Sequence, residues 1–175
     1  MKILDLGCGN QKHPGAIGVD QSPNAQADIV HDLNHFAYPF EDNEFDRIYC
    51  TDVLEHLADV IRTMEEIHRI ARPGAQIFIR VPHFTSMHAY GDPTHRHFFN
   101  SQSFDYFCDG FPQYQFYTSV RFKKVRIKLN FWKLHRIDGI SWLANHFLIG
   151  YEKLFAFIFP AMNMEVQLEV IKEAN

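Results

Sequence analysis

A chain of 175 residues is the size of one ordinary domain, with room for a real core. Its 46% hydrophobic content excludes a disordered chain, and a net charge of −4 argues against a surface built throughout for nucleic acid. Cys8, Cys50 and Cys108 are odd in number, far apart and free of any CxxC pairing, which excludes a zinc ribbon and suits a reducing compartment.

Met1 leads directly into an apolar run with no basic and apolar leader, so a cytoplasmic location is expected. Short apolar runs bounded by Gly, Pro, Asp or Asn read as strands at Lys2 to Leu6, Ala16 to Val19, Asp28 to His31, Phe45 to Cys50 and Gln76 to Val81. Between the last two, Val60, Met64, Ile67 and Ala71 recur on one face of a helix, which Arg72-Pro73-Gly74 stops. Alternating strands and helices predict a parallel sheet with both faces covered. Residues 83–107 hold histidines, aromatics and turn residues without a period, as a lid or active-site insertion would. Lys124 to Asn130 and Glu165 to Glu173 alternate strictly, as half-buried strands do, and the apolar region 140–160 between them reads as helix in at least two pieces. No repeat or boundary interrupts the chain, so residues 1–175 read as one domain.

The stretch ILDLGCGNQKHPGAIGVD, Ile3 to Asp20, places a glycine loop between two strands that each end near a carboxylate. Bare backbone N–H groups then lie at the carboxyl end of a parallel sheet, where open α/β sheets bind ligands, and Asp20 falls where an acid can accept both ribose hydroxyls. The third glycine of a dinucleotide fingerprint is missing, and no helix start follows Gly9 to cradle a pyrophosphate. Together with HDLN (His31 to Asn34), FDRIYCTDVLEHL (Phe45 to Leu57) and EEIHRIARPGAQIFIRVP (Glu65 to Pro82), the sequence resembles the class I S-adenosylmethionine-dependent methyltransferases, in particular their type 11 branch.

The resemblance spans about Met1 to Pro82 and implies a Rossmann-like α/β sandwich of seven mostly parallel strands with the last antiparallel. It implies S-adenosylmethionine as cofactor. Asp5, Gly7, Cys8 and Gly9 would border its methionine part, Asp20 and Gln21 its ribose, and Asp32 and Leu33 its adenine. Thr51 and Asp52 would lie beside the sulfonium, with His56 nearby. The departure is the first crossover: only NQKHPGAI separates Gly9 from the next strand, too short and too rich in Pro and Gly for a full helix. Lys12 either pairs with the methionine carboxylate or is simply solvated, and the thin side of the pocket raises the prospect of a homodimer.

Methyl transfer chiefly needs alignment, plus a base where the nucleophile is a hydroxyl or amine. His83, Asp92 and His95 are the candidate catalytic residues, with Asp92 orienting an imidazole; the same Asp-Pro-Thr-His is also sound turn and N-cap chemistry. Arg96 is a candidate for an anionic substrate group. His83, His88, His95, His97 and Asp92 could in principle ligate a metal, but no regular element fixes their spacing, and none is expected. Seven of the 17 Lys and Arg lie between Arg121 and Arg136. They either track phosphates or, as preferred, pair Lys124, Arg126 and Lys128 with Glu165, Gln167 and Glu169 across two strands. Neither apolar half of 140–160 is long enough to span a bilayer; the region serves the core, the acceptor mouth or a dimer interface. The expected function is methyl transfer to an O or N atom of a small molecule. A non-catalytic cofactor-binding subunit and an RNA-modifying enzyme are the alternatives.

Overall fold

The computed structural model describes residues 1–114, 116–133 and 139–172. Seven strands form one sheet: β1 (Ile3–Leu6), β2 (Ile17–Asp20), β3 (Ile29–Val30), β4 (Phe45–Thr51), β5 (Ala71–Pro82), β6 (Arg121–Asn130) and β7 (Asn163–Ile171). Their order is β3-β2-β1-β4-β5-β7-β6, with β7 antiparallel to both neighbours and the first five strands mutually parallel. The order reverses direction at β1, so the ends of β1 and β4 open a crevice at the carboxyl edge.

One helix of ordinary length serves the parallel half. α1 (Val60–Ile70) starts at Asp59, whose side chain accepts from the Arg62 N–H at 2.9 Å, and it buries Met64, Ile67 and Ile70 against the sheet. Three shorter helices follow among the described residues: α2 (Met87–Gly91), α3 (Ile140–His146) and α4 (Leu148–Leu154). The apolar region is thus helical in two pieces, and it packs only in part. Ala144 and Tyr151 are buried, while Phe147, Leu154, Phe157 and Ile158 stay exposed.

The expectation of two covered faces holds on one side. Leu4, Leu6, Ile48, Cys50, Ile77, Ile79, Val166 and Leu168 point into the core with the helices. The opposite face carries Asp5, Arg47, Tyr49, Phe78, Arg80, Glu165 and Gln167, and no described helix lies in the crossovers after β1, β2 or β3. Cover there comes from the first loop. His13 stacks on Tyr49 at 3.7 Å, Tyr49 on Phe78 at 5.1 Å, and the Arg47 guanidinium lies 5.4 Å from the Phe78 ring. The chain dispenses with a helix because half-polar strands need less apolar cover.

The β6–β7 pair also differs from strict alternation. A bulge between Lys124 and Arg126 leaves Lys123 opposite Glu169, Arg126 opposite Gln167 and Lys128 opposite Glu165. Lys124 is turned to the core side, opposite Leu168, and pairs there with the buried Asp105. Lys128 and Glu165 keep the expected cross-strand contact at 3.7 Å. At this sheet edge, Asn145 of α3 accepts from the Leu129 N–H at 2.7 Å and donates to its carbonyl at 2.9 Å, closing backbone groups that a free edge would expose.

Candidate functional site

The glycine loop is shaped by contacts that leave no room for side chains. Gly7 has φ +66°, and a Cβ there would lie 2.2 Å from Cγ2 of Val53. Gly7 N–H and Cys8 N–H both donate to the Val19 carbonyl, at 2.8 and 3.0 Å, folding the loop back over β2. Gly9 N–H donates to Asp20 at 2.9 Å, and the other Asp20 oxygen accepts from Ser22 N–H at 2.9 Å. Two backbone donors therefore hold this carboxylate in place while lone pairs remain for a ligand.

A cavity of about 670 Å³ opens over this loop, lined by Gly7, Asp20, Gln21, Asp32, Leu33, Asn34, Asp52, Val53, His56 and Leu57, with Pro93, Thr94 and Arg96 descending from the insertion. Of the cofactor residues named from the sequence, Gly7, Asp20, Gln21, Asp32, Leu33, Asp52 and His56 are brought together here. Asp32 accepts from the Asn34 N–H at 2.9 Å, which, together with the Asn34 side-chain amide and nearby histidines, holds its pKa below the ordinary carboxylate value despite some desolvation.

Four named residues lie elsewhere around the loop. Asp5 is buried beneath it, accepting from His13 N–H at 2.8 Å; burial pushes its pKa up, against that hydrogen bond. Cys8 is buried against Gly18, and all three cysteines are free and buried. Gly9 meets the site through its bond to Asp20, and Thr51 faces the opposite side of the sheet, beside His13 and Phe78. Lys12 is neither free nor near the cavity: its ammonium pairs with Asp28 at 2.8 Å.

A second cavity of about 740 Å³ adjoins the first and shares Asp52, His56 and Pro93 with it. Its other walls include Glu55, Arg80, Met87, His88, Asp92, His95 and Met162. Asp52 holds a left-handed φ of +54° and pairs with Arg80, so a strained residue stands between the two chambers. Asp92 forms a turn, accepting from the Thr94 N–H at 2.8 Å and hydroxyl at 2.7 Å, but no helix follows. The insertion thus confirms the turn chemistry of Asp92-Pro93-Thr94-His95 without its helix.

Of the three candidate catalytic residues, Asp92 and His95 line the second chamber. His83 does not. It is fully buried, with Nδ1 2.7 Å from the Thr85 hydroxyl and Nε2 3.2 Å from Glu152. Glu152 also accepts from the Ser101 N–H and hydroxyl, both at 2.8 Å, tying α4 to the insertion. Burial opposes ionisation of Glu152, but the bonds from His83 and Ser101 outweigh it and hold its pKa down.

Sequence reasoning passed over Glu55, which sits inside the DVLEHL motif beside His56. It lies on a single 3-10 turn (Leu54–His56), and its backbone carbonyl accepts from Arg96 N–H at 2.7 Å, so the insertion folds directly over it. Burial pushes its carboxyl up to about 7. The His56 ring is shifted the other way, below its ordinary value, by burial and by the neighbouring His95.

The strand order, the reversal at β1 and a cavity over the glycine loop define a class I methyltransferase fold. A family model described as a methyltransferase domain, of the type 11 branch, matches residues 4–79. The match covers less than half of the chain, and the fold is that of the class I S-adenosylmethionine-dependent methyltransferases. Among solved structures it resembles a S-adenosylmethionine-dependent methyltransferase from Archaeoglobus fulgidus at a TM-score of 0.62 and 19% identity, over 96% of this chain and 85% of that one. It also resembles a phosphoethanolamine N-methyltransferase 2 from Haemonchus contortus, solved with phosphomonomethylethanolamine and S-adenosylhomocysteine, at 0.55 and 18%, over 99% of this chain and 50% of that one. A ubiquinone biosynthesis O-methyltransferase of Pseudomonas aeruginosa is 26% identical over 99 residues, 45% of this chain and 43% of the relative. The chain thus spans less than half the length of the curated relatives it matches.

Proposed function

We propose that the chain transfers a methyl group from S-adenosylmethionine to an O or N atom of a small molecule. The observation that carries this is the pair of adjoining chambers with His56, Asp52 and Pro93 in their shared wall. In this reading Asp20 and Gln21 hold the ribose, Asp32 and Leu33 flank the adenine, and the sulfonium meets the wall at Asp52. The acceptor occupies the second chamber, where Asp92 and His95 stand and where its reacting atom can approach in line with the methyl carbon. His83, clamped behind the chamber, acts as a positioning residue for the insertion.

An O or N acceptor is supported by the relatives' names, one an O-methyltransferase and one an N-methyltransferase. A small acceptor is supported by the charge arrangement, since three of the seven basic residues of the stretch 121–136, Arg121, Lys124 and Lys128, each pair with a carboxylate. No described helix is long and apolar enough to cross a membrane. The reading includes a cytoplasmic setting, in keeping with the free thiols, and a second copy of the chain against the exposed side chains of α3 and α4.

Calorimetric titration with S-adenosylhomocysteine tests the cofactor half: one site per chain is expected, and no heat at millimolar ligand would leave the activity without support. Steep salt dependence of tRNA binding would favour the RNA-modifying alternative instead.

A further inference from the structure

Glu55, His56 and His95 stand side by side in the lining of the second chamber. Glu55 is 1% exposed, and neither of its carboxylate oxygens receives a hydrogen bond among the described residues. A buried carboxylate in that condition is unstable unless a proton or a cation meets it. The two imidazoles beside it are fixed in one tautomer by their outer partners. His95 Nδ1 lies 3.0 Å from the Ala89 carbonyl, which can only accept, so Nδ1 carries a proton and Nε2 is the nitrogen left for a ligand. His56 Nδ1 lies 2.8 Å from the Thr94 hydroxyl, whose own proton goes to Asp92 at 2.7 Å. His56 Nδ1 must then donate, and its Nε2 is likewise left for a ligand. Arg80, in the lining of the same chamber, is engaged by Asp52.

One ligand atom from each of Glu55, His56 and His95 lies within 4.8 Å of the others, and the two rings meet edge to face at 4.6 Å. We propose that these three residues bind a divalent transition ion of the zinc class. Two imidazoles and one carboxylate suit such an ion better than magnesium or calcium, which prefer oxygen alone. In a tetrahedral site with bonds of about 2.1 Å the ligand atoms stand about 3.4 Å apart, so the set must close by at most about 1.4 Å, within reach of side-chain rotation. Asp92 through Thr94 on one ring, and the Ala89 carbonyl on the other, supply the outer bonds that metal-bound histidines commonly have. All three residues line the second chamber, so the fourth position opens where the acceptor is placed. Assigning that position to the acceptor's heteroatom rests on the proposed function; the metal site itself does not.

The test is titration of the chelator-treated, dialysed protein with cobalt(II), read by visible ligand-field absorption and checked by displacement with zinc. One equivalent with the spectrum of a four-coordinate ion is expected. Glu55→Gln and His95→Ala should each weaken binding about 100-fold or more, and Asp92→Asn about tenfold. Circular dichroism confirms that each variant is folded, and His95→Ala, on the insertion, serves if the buried Glu55→Gln is not. Substoichiometric binding, or binding that both variants leave unchanged, overturns the site. Wild-type protein that binds S-adenosylhomocysteine but no cobalt loses the metal and keeps the cofactor reading; protein that binds neither loses both.

Discussion

The two chambers meet at one wall but are built from different materials. The first is framed by strand ends and backbone: Gly7, Gly9 and Asp20 are held by bonds that β1, β2 and the loop make among themselves. The second is framed by side chains of the insertion, laid over the 3-10 turn at Leu54–His56 and tied down from behind by Glu152. The first should therefore be preformed, while the second depends on how well the insertion is anchored.

Substitutions can separate them. Gly7→Ala should have the largest effect, roughly 2–4 kcal/mol of stability, because it combines an overlap with Val53 and a left-handed backbone. In urea denaturation, Val53→Ala in the same chain should return the overlap part and leave the backbone part; full recovery would mean that the φ of Gly7 is unimportant. Asp20→Ala should weaken S-adenosylhomocysteine by roughly 100-fold, the worth of about 2–3 kcal/mol of charged hydrogen bonds, without changing acceptor KM in the same proportion. An equal loss for both ligands would erase the distinction between the chambers.

Glu152→Ala should act the other way, on the insertion. It strands the buried His83 and the Ser101 hydroxyl, costing roughly 1–3 kcal/mol, and should raise acceptor KM more than cofactor Kd. The pH dependence follows from the sign of the shift. The Glu152 pKa is depressed in the folded chain, so its contribution is complete above the ordinary value of 4.5 and is lost as pH falls through the lower folded value. Hydrogen exchange in residues 83–107 should therefore quicken below about pH 4.5 in the wild type and show no such step in Glu152→Ala. Smallest of all, Lys128→Ala should cost about 0–0.5 kcal/mol, since its 3.7 Å pair with Glu165 is solvated, and should leave both chambers unchanged.

The glycine-loop chamber was legible because its parts are local. A strand with Asp5 near its end, a glycine loop and a strand ending in Asp20 can be read within 18 residues, and the order of the following segments fixes the sheet. Glu55 was not legible in the same way. In DVLEHL it looks like any acid before a helix, and only the return of residues 92–97 over it, some 40 positions later, takes it out of water. The bulge at Lys124 escaped for a different reason: alternation counts residues along one strand and says nothing of the partner's register. The half-polar second face, which the expectation of two helix-covered faces missed, has its signal in the strands themselves. Arg47, Tyr49 and Thr51, and Gln76, Phe78 and Arg80, alternate with core residues in strands that a fully covered sheet would make apolar throughout.

A crystal structure with S-adenosylhomocysteine bound would address the arrangement most directly. The ribose should meet the Asp20 carboxylate, the adenine should lie by Asp32 and Leu33, and the sulfur should reach the wall at Asp52 and His56 with its vacated methyl position facing the second chamber. Adenosine on the far face of the sheet beside Thr51 and Phe78, or a sulfur turned away from the second chamber, would contradict it.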